Sequence, residues 1–282
     1  MFYITGDTHG DLRGVARFCK KHQLTADDTL IILGDTGINY FGNQRDREPR
    51  DLLAKTPATI FCIHGNHERR PQTMDCYHEQ PWRGGTVFVE DAYPNILFAK
   101  DGEVFDLDGI KAIVIGGAYS VDKHIRLANG WSWFADEQPS TEVKAAVERR
   151  LESLGWQVDV VLSHTCPLRY EPTEAFIPGI DQSQVDKSTE VWLDEIERRL
   201  SYKRWYCGHY HIAKRIDKLQ FMYTDFDMLR TGGPGDAYIK LRPESDKPLT
   251  FYTSDLHLGH TNIIRFCTRP YADVGEMDRA LI

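Results

Sequence analysis

The sequence predicts an α/β (α+β) chain in which a parallel, βαβ portion is followed by an antiparallel portion or a second sheet. Two patterns carry this expectation. Over the first third of the chain, short apolar runs end in a turn containing Gly or Asp and lead into helical or loop sequence, the alternation expected of βαβ units. From about Thr86 to Gly117 the runs instead come close together with Asp and Gly between them, as in hairpins or a meander. At 282 residues with 41% apolar side chains, the chain can bury the core of one large domain or two ordinary ones.

Taken in order, Phe2 to Thr5 reads as a short strand, and Asp11 opens an amphipathic stretch with Leu12, Val15, Ala16 and Cys19 at helical spacing. Thr29 to Leu33 and Ala58 to Ile63 are apolar runs suited to central strands buried on both faces, with a charged helix over roughly Arg45 to Lys55 between them. Further strands are expected over Thr86–Val89, Ile96–Ala99, Glu103–Leu107 and Lys111–Ile115. Ser120 to Pro139 reads as a long irregular segment whose Trp131, Trp133 and Phe134 either plug the core surface or form a substrate lip. Ser140–Leu154 is a helix with Ser140 or Thr141 as N-cap, Val158–Leu162 a buried strand, and Pro167–Pro178 a loop. Ser188–Leu200 is a second helix, opening on an imperfect capping box from Ser188 to Val191. Strands over Arg204–Cys207, Lys214–Ile216 and Leu219–Thr224 follow.

Composition narrows the function classes. The net charge of −8, spread without long like-charge runs, argues against an extended nucleic-acid footprint and against an anionic membrane surface. Cys19, Cys62, Cys76, Cys166, Cys207 and Cys267 form no CxxC pair, so reduced, mostly buried thiols are expected. Met1 leads directly into a strand, and no run of about 18 apolar residues occurs, so no membrane partner and a cytoplasmic location are expected.

Five stretches carry the chemistry: GDTHG at Gly6–Gly10, GD at Gly34 and Asp35, GNHE at Gly65–Glu68, SH at Ser163 and His164, and GHYH at Gly208–His211. Each follows an apolar strand-like run, and in an open α/β sheet the loops beyond the carboxyl ends of the strands meet in one crevice. Asp7, His9, Asp35, Asn66, His164, His209 and His211 offer carboxylate, amide and imidazole donors and no thiolate, which suits manganese, iron or zinc. Seven candidates exceed the needs of one ordinary ion and suit two that share a carboxylate. Two such metals can generate a hydroxide and clamp both oxygens of a phosphoryl transfer.

In this order the set DxH, GD, GNHE, SH and GHxH, spanning Met1 to Asp227, resembles the calcineurin-like metallophosphoesterases. The resemblance implies two packed mixed β-sheets flanked by helices in a four-layer architecture, with a domain over residues 1–230. It implies two divalent ions, manganese first with iron or zinc as alternatives. Asp7, His9 and His211 would hold one ion, Asn66, His164 and His209 the other, and Asp35 would bridge them. A metal-bridging hydroxide would then attack a phosphorylated substrate, a monoester by preference, with Asn66 and His67 steadying the phosphate and His67 assisting the leaving group. A phosphodiesterase or nuclease with the same two-metal core, or a catalytically weak metal-binding interaction module, are the alternatives. The chain departs from the family pattern at Ile38, where many relatives carry the aspartate that orients this histidine, and at Asn39, where protein serine/threonine phosphatases carry an arginine.

The remaining candidates have weaker signals. His22, His64, His78 and His124 match no motif and read as structural; Arg69, Arg70, Lys123 and Arg126 either meet a substrate anion or are solvated surface charge. Residues 231–248, rich in Gly and Pro, read as a linker. Beyond it, Asp255 and His257, with His260 nearby, repeat the opening motif 248 positions after Asp7 and His9, giving an incomplete second βα segment over 249–282.

Overall fold

The structure, a computed structural model, describes residues 1–232 and Glu276. The chain divides into two units, Met1–Pro243 and Glu244–Ile282, and the elements described below belong to the first. The sequence features at Asp255, His257 and His260, and all but the first two residues of the expected linker, lie outside the described residues.

Two mixed sheets form the centre. The first contains β1 (Phe2–Thr5), β2 (Thr29–Ile32), β3 (Thr59–Cys62), β4 (Tyr77–Trp82), β5 (Gly85–Glu90), β6 (Ile96–Ala99) and β13 (Phe226–Met228), in the order β13-β1-β2-β3-β6-β5-β4. The second contains β7 (Val104–Leu107), β8 (Ile110–Ile115), β9 (Val160–Ser163), β10 (Arg204–Cys207), β11 (Lys214–Ile216) and β12 (Leu219–Phe221), in the order β11-β12-β10-β9-β8-β7. Strands β1, β2, β3 and β6 run parallel, as do β8, β9, β10 and β12.

The two-residue period of each strand explains why its sequence looks uniformly apolar: alternate side chains enter different cores. Phe2, Ile4, Ile31 and Phe61 of the first sheet meet Phe105, Val114, Leu162 and Tyr206 of the second in the core between the sheets. Tyr3, Leu30, Ile32 and Ile60 face outward and are covered by Val15 and Phe18 of α1 (Arg13–Lys21) and Leu53 of α2 (Arg47–Ala54). On the other side, Ile113, Val161 and Trp205 pack against Val147 and Leu151 of α4 (Thr141–Ser153) and Leu193 and Ile196 of α5 (Ser188–Arg199). The result is the expected α/β (α+β) architecture of two packed sheets flanked by helices.

The structure corrects the sequence reading in four places. Of the two expectations for the change of pattern near Thr86, the antiparallel portion holds and the second sheet does not: β5 pairs antiparallel with β4 and β6 within the first sheet, and the chain crosses between Ala99 and Val104. Strand β4 has no counterpart among the expected strands, because Pro81 and a string of exposed polar residues disguise an edge strand. The segment after Ser120 is not wholly irregular, since α3 spans Lys123–Ala128. At α5, Ser188 is no N-cap; the cap position is Lys187, and Asp186 Oδ1 accepts the Ser188 N–H at 2.9 Å instead. Ser140 does cap α4, accepting from Val143 N–H at 3.3 Å.

Candidate metal centre

Each of the five motifs stands at the carboxyl end of a strand. Asp7 and His9 follow β1, Asp35 follows β2, and Asn66 and His67 follow β3, three neighbouring parallel strands. His164 follows β9, and His209 and His211 follow β10, the matching neighbours in the second sheet. All seven expected ligands are thereby brought together at one end of the two sheets.

Backbone hydrogen bonds lock these loops to one another. His9 N–H donates to the Asp35 carbonyl at 2.8 Å, and Gly208 N–H to the His164 carbonyl at 2.9 Å. The carboxylates are held the same way: Asp35 Oδ1 accepts His67 N–H at 2.8 Å and Asp7 Oδ1 accepts His209 N–H at 3.0 Å. The glycines of two motifs have a steric reason, since a Cβ at Gly65 would run into the Asp35 carboxylate and one at Gly208 into that of Asp7. His9, Asp35, His209 and His211 occupy the left-handed region, at φ of 46°, 48°, 67° and 53°. Non-glycine residues there carry strain of order 1–3 kcal/mol each, which a fold retains where geometry at a site matters.

Two groups of donors result. The ligand atoms of Asp7, His9 and His211 all lie within 4.8 Å of one another, and so do those of Asp7, Asp35 and His164. His9 Nε2 and His211 Nε2 approach to 2.8 Å. His164 Nε2 and His209 Nδ1 both converge on Asn66 Oδ1, at 2.8 and 3.1 Å. Asp35 Oδ2 sits between the two sets, 3.9 Å from His9 Nε2 and 3.7 Å from His164 Nε2. The carbonyl of Leu33, which can only accept, lies 2.7 Å from His164 Nδ1, so the proton resides there and Nε2 turns its lone pair toward the cluster. Buried carboxylates and imidazole nitrogens aimed at shared volumes, with no thiolate among them, fit borderline or hard divalent cations.

The electrostatics agree. Burial alone would push the Asp35 carboxyl up, but the His164, His67 and His9 imidazoles outweigh it and hold that carboxyl well below its usual range. Burial drives His209 and His67 down, favouring neutral imidazoles, whereas the Asp7 hydrogen bond raises His211. Glu68 of the GNHE stretch is fully buried; burial and the Asp35 charge push it up to about 8.

The structure adds residues that motif reading missed. Asn66 Nδ2 donates to Ser120 Oγ at 2.8 Å, and Ser120 Oγ donates to Glu137 Oε2 at 2.5 Å. This relay fixes the amide so that its oxygen faces His164 and His209. No spacing signals it, because Ser120 and Glu137 come from the loops around α3. Arg126 on α3 is neither free nor remote: Nε donates to Asp122 at 2.8 Å, Nη1 to Tyr40 Oη at 3.2 Å, and Nη2 lies 3.4 Å from His67 Nε2. Ile38, at the family's aspartate position, is buried in the apolar layer under α1 and α2, and the polar side chains beside His67 Nε2 are Asn66, Arg126 and Asp35.

Other candidates separate cleanly. Arg70 pairs with Asp101 at 2.6 Å, Arg69 lies over the Phe134 ring and Lys123 over Trp133. His22 packs on Phe18, His64 is buried, His78 pairs with exposed Asp91, and His124 is exposed. Phe134 is buried and Trp131 exposed, and the aromatic segment contributes Val121, Asp122 and Arg126 to the cavity beside the ligands. Of the described cysteines, Cys19, Cys62, Cys166 and Cys207 are buried thiols, and Cys76 is an exposed one. Among the described residues no helix is long and apolar enough to cross a membrane.

Comparison with known proteins gives one strong match. A family model described as calcineurin-like phosphoesterase matches residues 1–213. No curated protein matches the sequence. Among solved structures, the crystal structure of TT1561 of Thermus thermophilus is similar at 12% identity, covering 79% of this chain and 87% of that one with a TM-score of 0.45. A second solved chain is similar at 12% identity, covering 80% and 92% with a TM-score of 0.43.

Proposed function

Because the chain belongs to the calcineurin-like phosphoesterase family, we propose that it is a binuclear metal-dependent hydrolase of phosphate monoesters. The carrying observation is the convergence of Asp7, His9, Asp35, Asn66, His164, His209 and His211 from five strand ends of two sheets. In this reading Asp7, His9 and His211 hold one divalent ion, Asn66, His164 and His209 the other, and Asp35 serves both. Manganese fits the mixed oxygen and nitrogen donors, with iron or zinc as the other candidates. Such ions, when bound, lower the pKa of water and draw charge from phosphoryl oxygens.

The chain's own side chains do the rest. Asn66 Nδ2 and Arg126 Nη2, both purely donors, lie 3.2 and 3.4 Å from His67 Nε2 and address one volume, where a phosphoryl oxygen would be held. The relay through Ser120 and Glu137 prevents Asn66 from turning. Burial keeps the His67 imidazole neutral in the free protein; an anionic substrate beside it raises its proton affinity, so that Nε2 carries the proton the departing oxygen takes up. Arg126 supports the monoester preference, because a monoester brings one more charged oxygen than a diester. In this reading it is a cytoplasmic enzyme acting on a phosphorylated substrate, with four of its five described cysteines held as buried thiols.

Metal analysis of purified protein and recovery of activity on adding manganese after chelation test this reading. Asp35→Asn should reduce turnover by more than the roughly 10–100-fold that loss of an outer-shell partner costs. Turnover of an aryl phosphate should exceed that of a bis-aryl diester. Dominant diester cleavage would overturn the monoester preference, and an inert, metal-free protein would favour an interaction module.

A further inference from the structure

The cavity beside the metal ligands, of about 580 Å³, changes character away from them. One side is polar, with His9, Asp35, His67, Arg126 and the GHYH imidazoles. The rest of its lining includes Phe176, Ile177, Ile180 and Val185, from the stretch between β9 and α5, together with Ile212. Phe176 lies nearly parallel to Tyr210, with ring centroids 6.3 Å apart and planes at 21°. Water is a poor occupant for such a wall, and an apolar ring a good one.

Glu190, in the first turn of α5, lines the same cavity and is only 4% exposed. Its Oε1 accepts from Thr165 Oγ1 at 2.7 Å, while Oε2 has no hydrogen-bond partner among the described residues. Glu171, the other acid on this wall, is matched by Lys187 Nζ at 2.7 Å. A buried carboxyl oxygen left unpaired is costly, and such groups are retained where a ligand completes them. Short backbone steps tie this wall to the metal centre: Thr165 follows His164, and Tyr210 stands between His209 and His211.

We propose that this wall is a subsite for the organic part of the ester, a planar ring packing against Phe176 and Ile180 and offering an N–H or O–H group to Glu190 Oε2. What carries the ring, a phosphoryl group, rests on the phosphoesterase reading; the ring and its donor rest on the wall. A nucleobase and an amino- or hydroxy-substituted phenyl ring share this chemistry.

The test uses two phosphonates that cannot be hydrolysed as esters, benzylphosphonate and 4-aminobenzylphosphonate. Their affinities for the full chain with manganese are measured by calorimetry at pH 8.5, where a carboxyl pushed up by burial to about 7 is ionised. The amino compound should bind about 10-fold tighter to the wild type. In Glu190→Gln, Thr165 retains the amide oxygen and the cavity meets an NH₂ group, so the amino preference should fall to parity or reverse. Phe176→Ala should weaken both compounds several-fold and leave their ratio unchanged. The methylenephosphonate analogue of adenosine 5′-monophosphate, compared with that of ribose 5-phosphate on the same variants, separates a nucleobase from a simple aryl ring: a Glu190-dependent gain with the base identifies the former, and its restriction to the phenyl compounds the latter. Equal affinity of the wild type for both phosphonates, or an amino preference that survives Glu190→Gln, would overturn the subsite. Hydrolysis of 4-nitrophenyl phosphate, followed in parallel, keeps the two readings apart. Turnover without ring-donor selectivity removes the subsite and keeps the enzyme, and selectivity without turnover does the reverse.

Discussion

At the scale of single residues, Arg126 and Glu190 show how much a position depends on surroundings the sequence does not display. Arg126 has no motif, yet α3 brings its guanidinium within 3.4 Å of His67 Nε2. A charge-assisted contact of this kind contributes about 1.5–3 kcal/mol, so Arg126→Ala should lower kcat/KM for an aryl monoester by roughly 10–100-fold. A bis-aryl diester should suffer less; equal losses would show that the arginine supports the loop and not the phosphate. Glu190 makes a prediction about stability. Burial raises its carboxyl from 4.5 to about 7 in the folded chain, so the folded state binds its proton more tightly than the unfolded one. Stability is therefore undiminished below about pH 4.5, falls as pH rises through 7, and stays lowered above it, by roughly 3 kcal/mol. Glu190→Gln removes that loss: melting temperatures of the two proteins should nearly coincide at about pH 4, and the variant should melt higher at pH 8.5. A variant that melts lower at both would mean the carboxylate has a favourable partner.

At the scale of elements, the strands that deliver ligands were legible because each is short, apolar on both faces and followed at once by its motif. Ile31 and Leu33 enter one core and Leu30 and Ile32 the other, and that double burial is what writes TLIIL as an unbroken run. Some elements without a two-sided burial signal were not legible, although the exposed β11 was expected at Lys214–Ile216. The edge strand β4 is exposed and contains Pro81, and β13 is only three residues long, held to β1 by antiparallel pairing of Tyr3 with Met228. The seven candidate ligands that the structure brings together could be named from their motifs, whereas the Ser120–Glu137 relay could not, since a tertiary hydrogen bond between loop residues leaves no spacing behind. Capping divides in the same way. Ser140 caps α4 as its sequence suggests, while at α5 the carboxylate of Asp186 displaces the expected Ser188. Ser140→Ala should cost about 1 kcal/mol, a fall of about 2–4 °C in melting temperature for a domain of this size. Turnover of an aryl phosphate should not change, because α4 packs on the outer face of the second sheet, away from the ligands.

At the scale of the whole molecule, the candidate metal centre is also the place where carboxylates and imidazoles of the two sheets meet. Asp7 and His9 belong to the end of β1 and Asp35 to that of β2, whereas His164 and His211 come from the ends of β9 and β10. Between the sheets elsewhere lies an apolar core, which attracts without direction. At their carboxyl ends two almost fully buried carboxylates face a group of imidazoles, and the backbone there is held in left-handed conformations. Cations bound by ligands from both sheets would stabilise only the state in which those sheets are docked, because the unfolded chain keeps the ligands far apart. At a free metal concentration about 1,000 times the dissociation constant, this linkage contributes about 4 kcal/mol. At roughly 2–4 °C per kcal/mol for this size, chelated protein should gain on the order of 10 °C on adding manganese. Magnesium, which favours oxygen ligands and a full octahedron, should give a smaller shift. Asp7→Asn and His164→Ala, one change in each sheet and one in each proposed ligand set, should each lower the gain, and the two together should abolish most of it. A full gain that survives the double substitution would place the stabilising ion outside these two ligand sets, and the account of the centre as the clamp between the two sheets would fail.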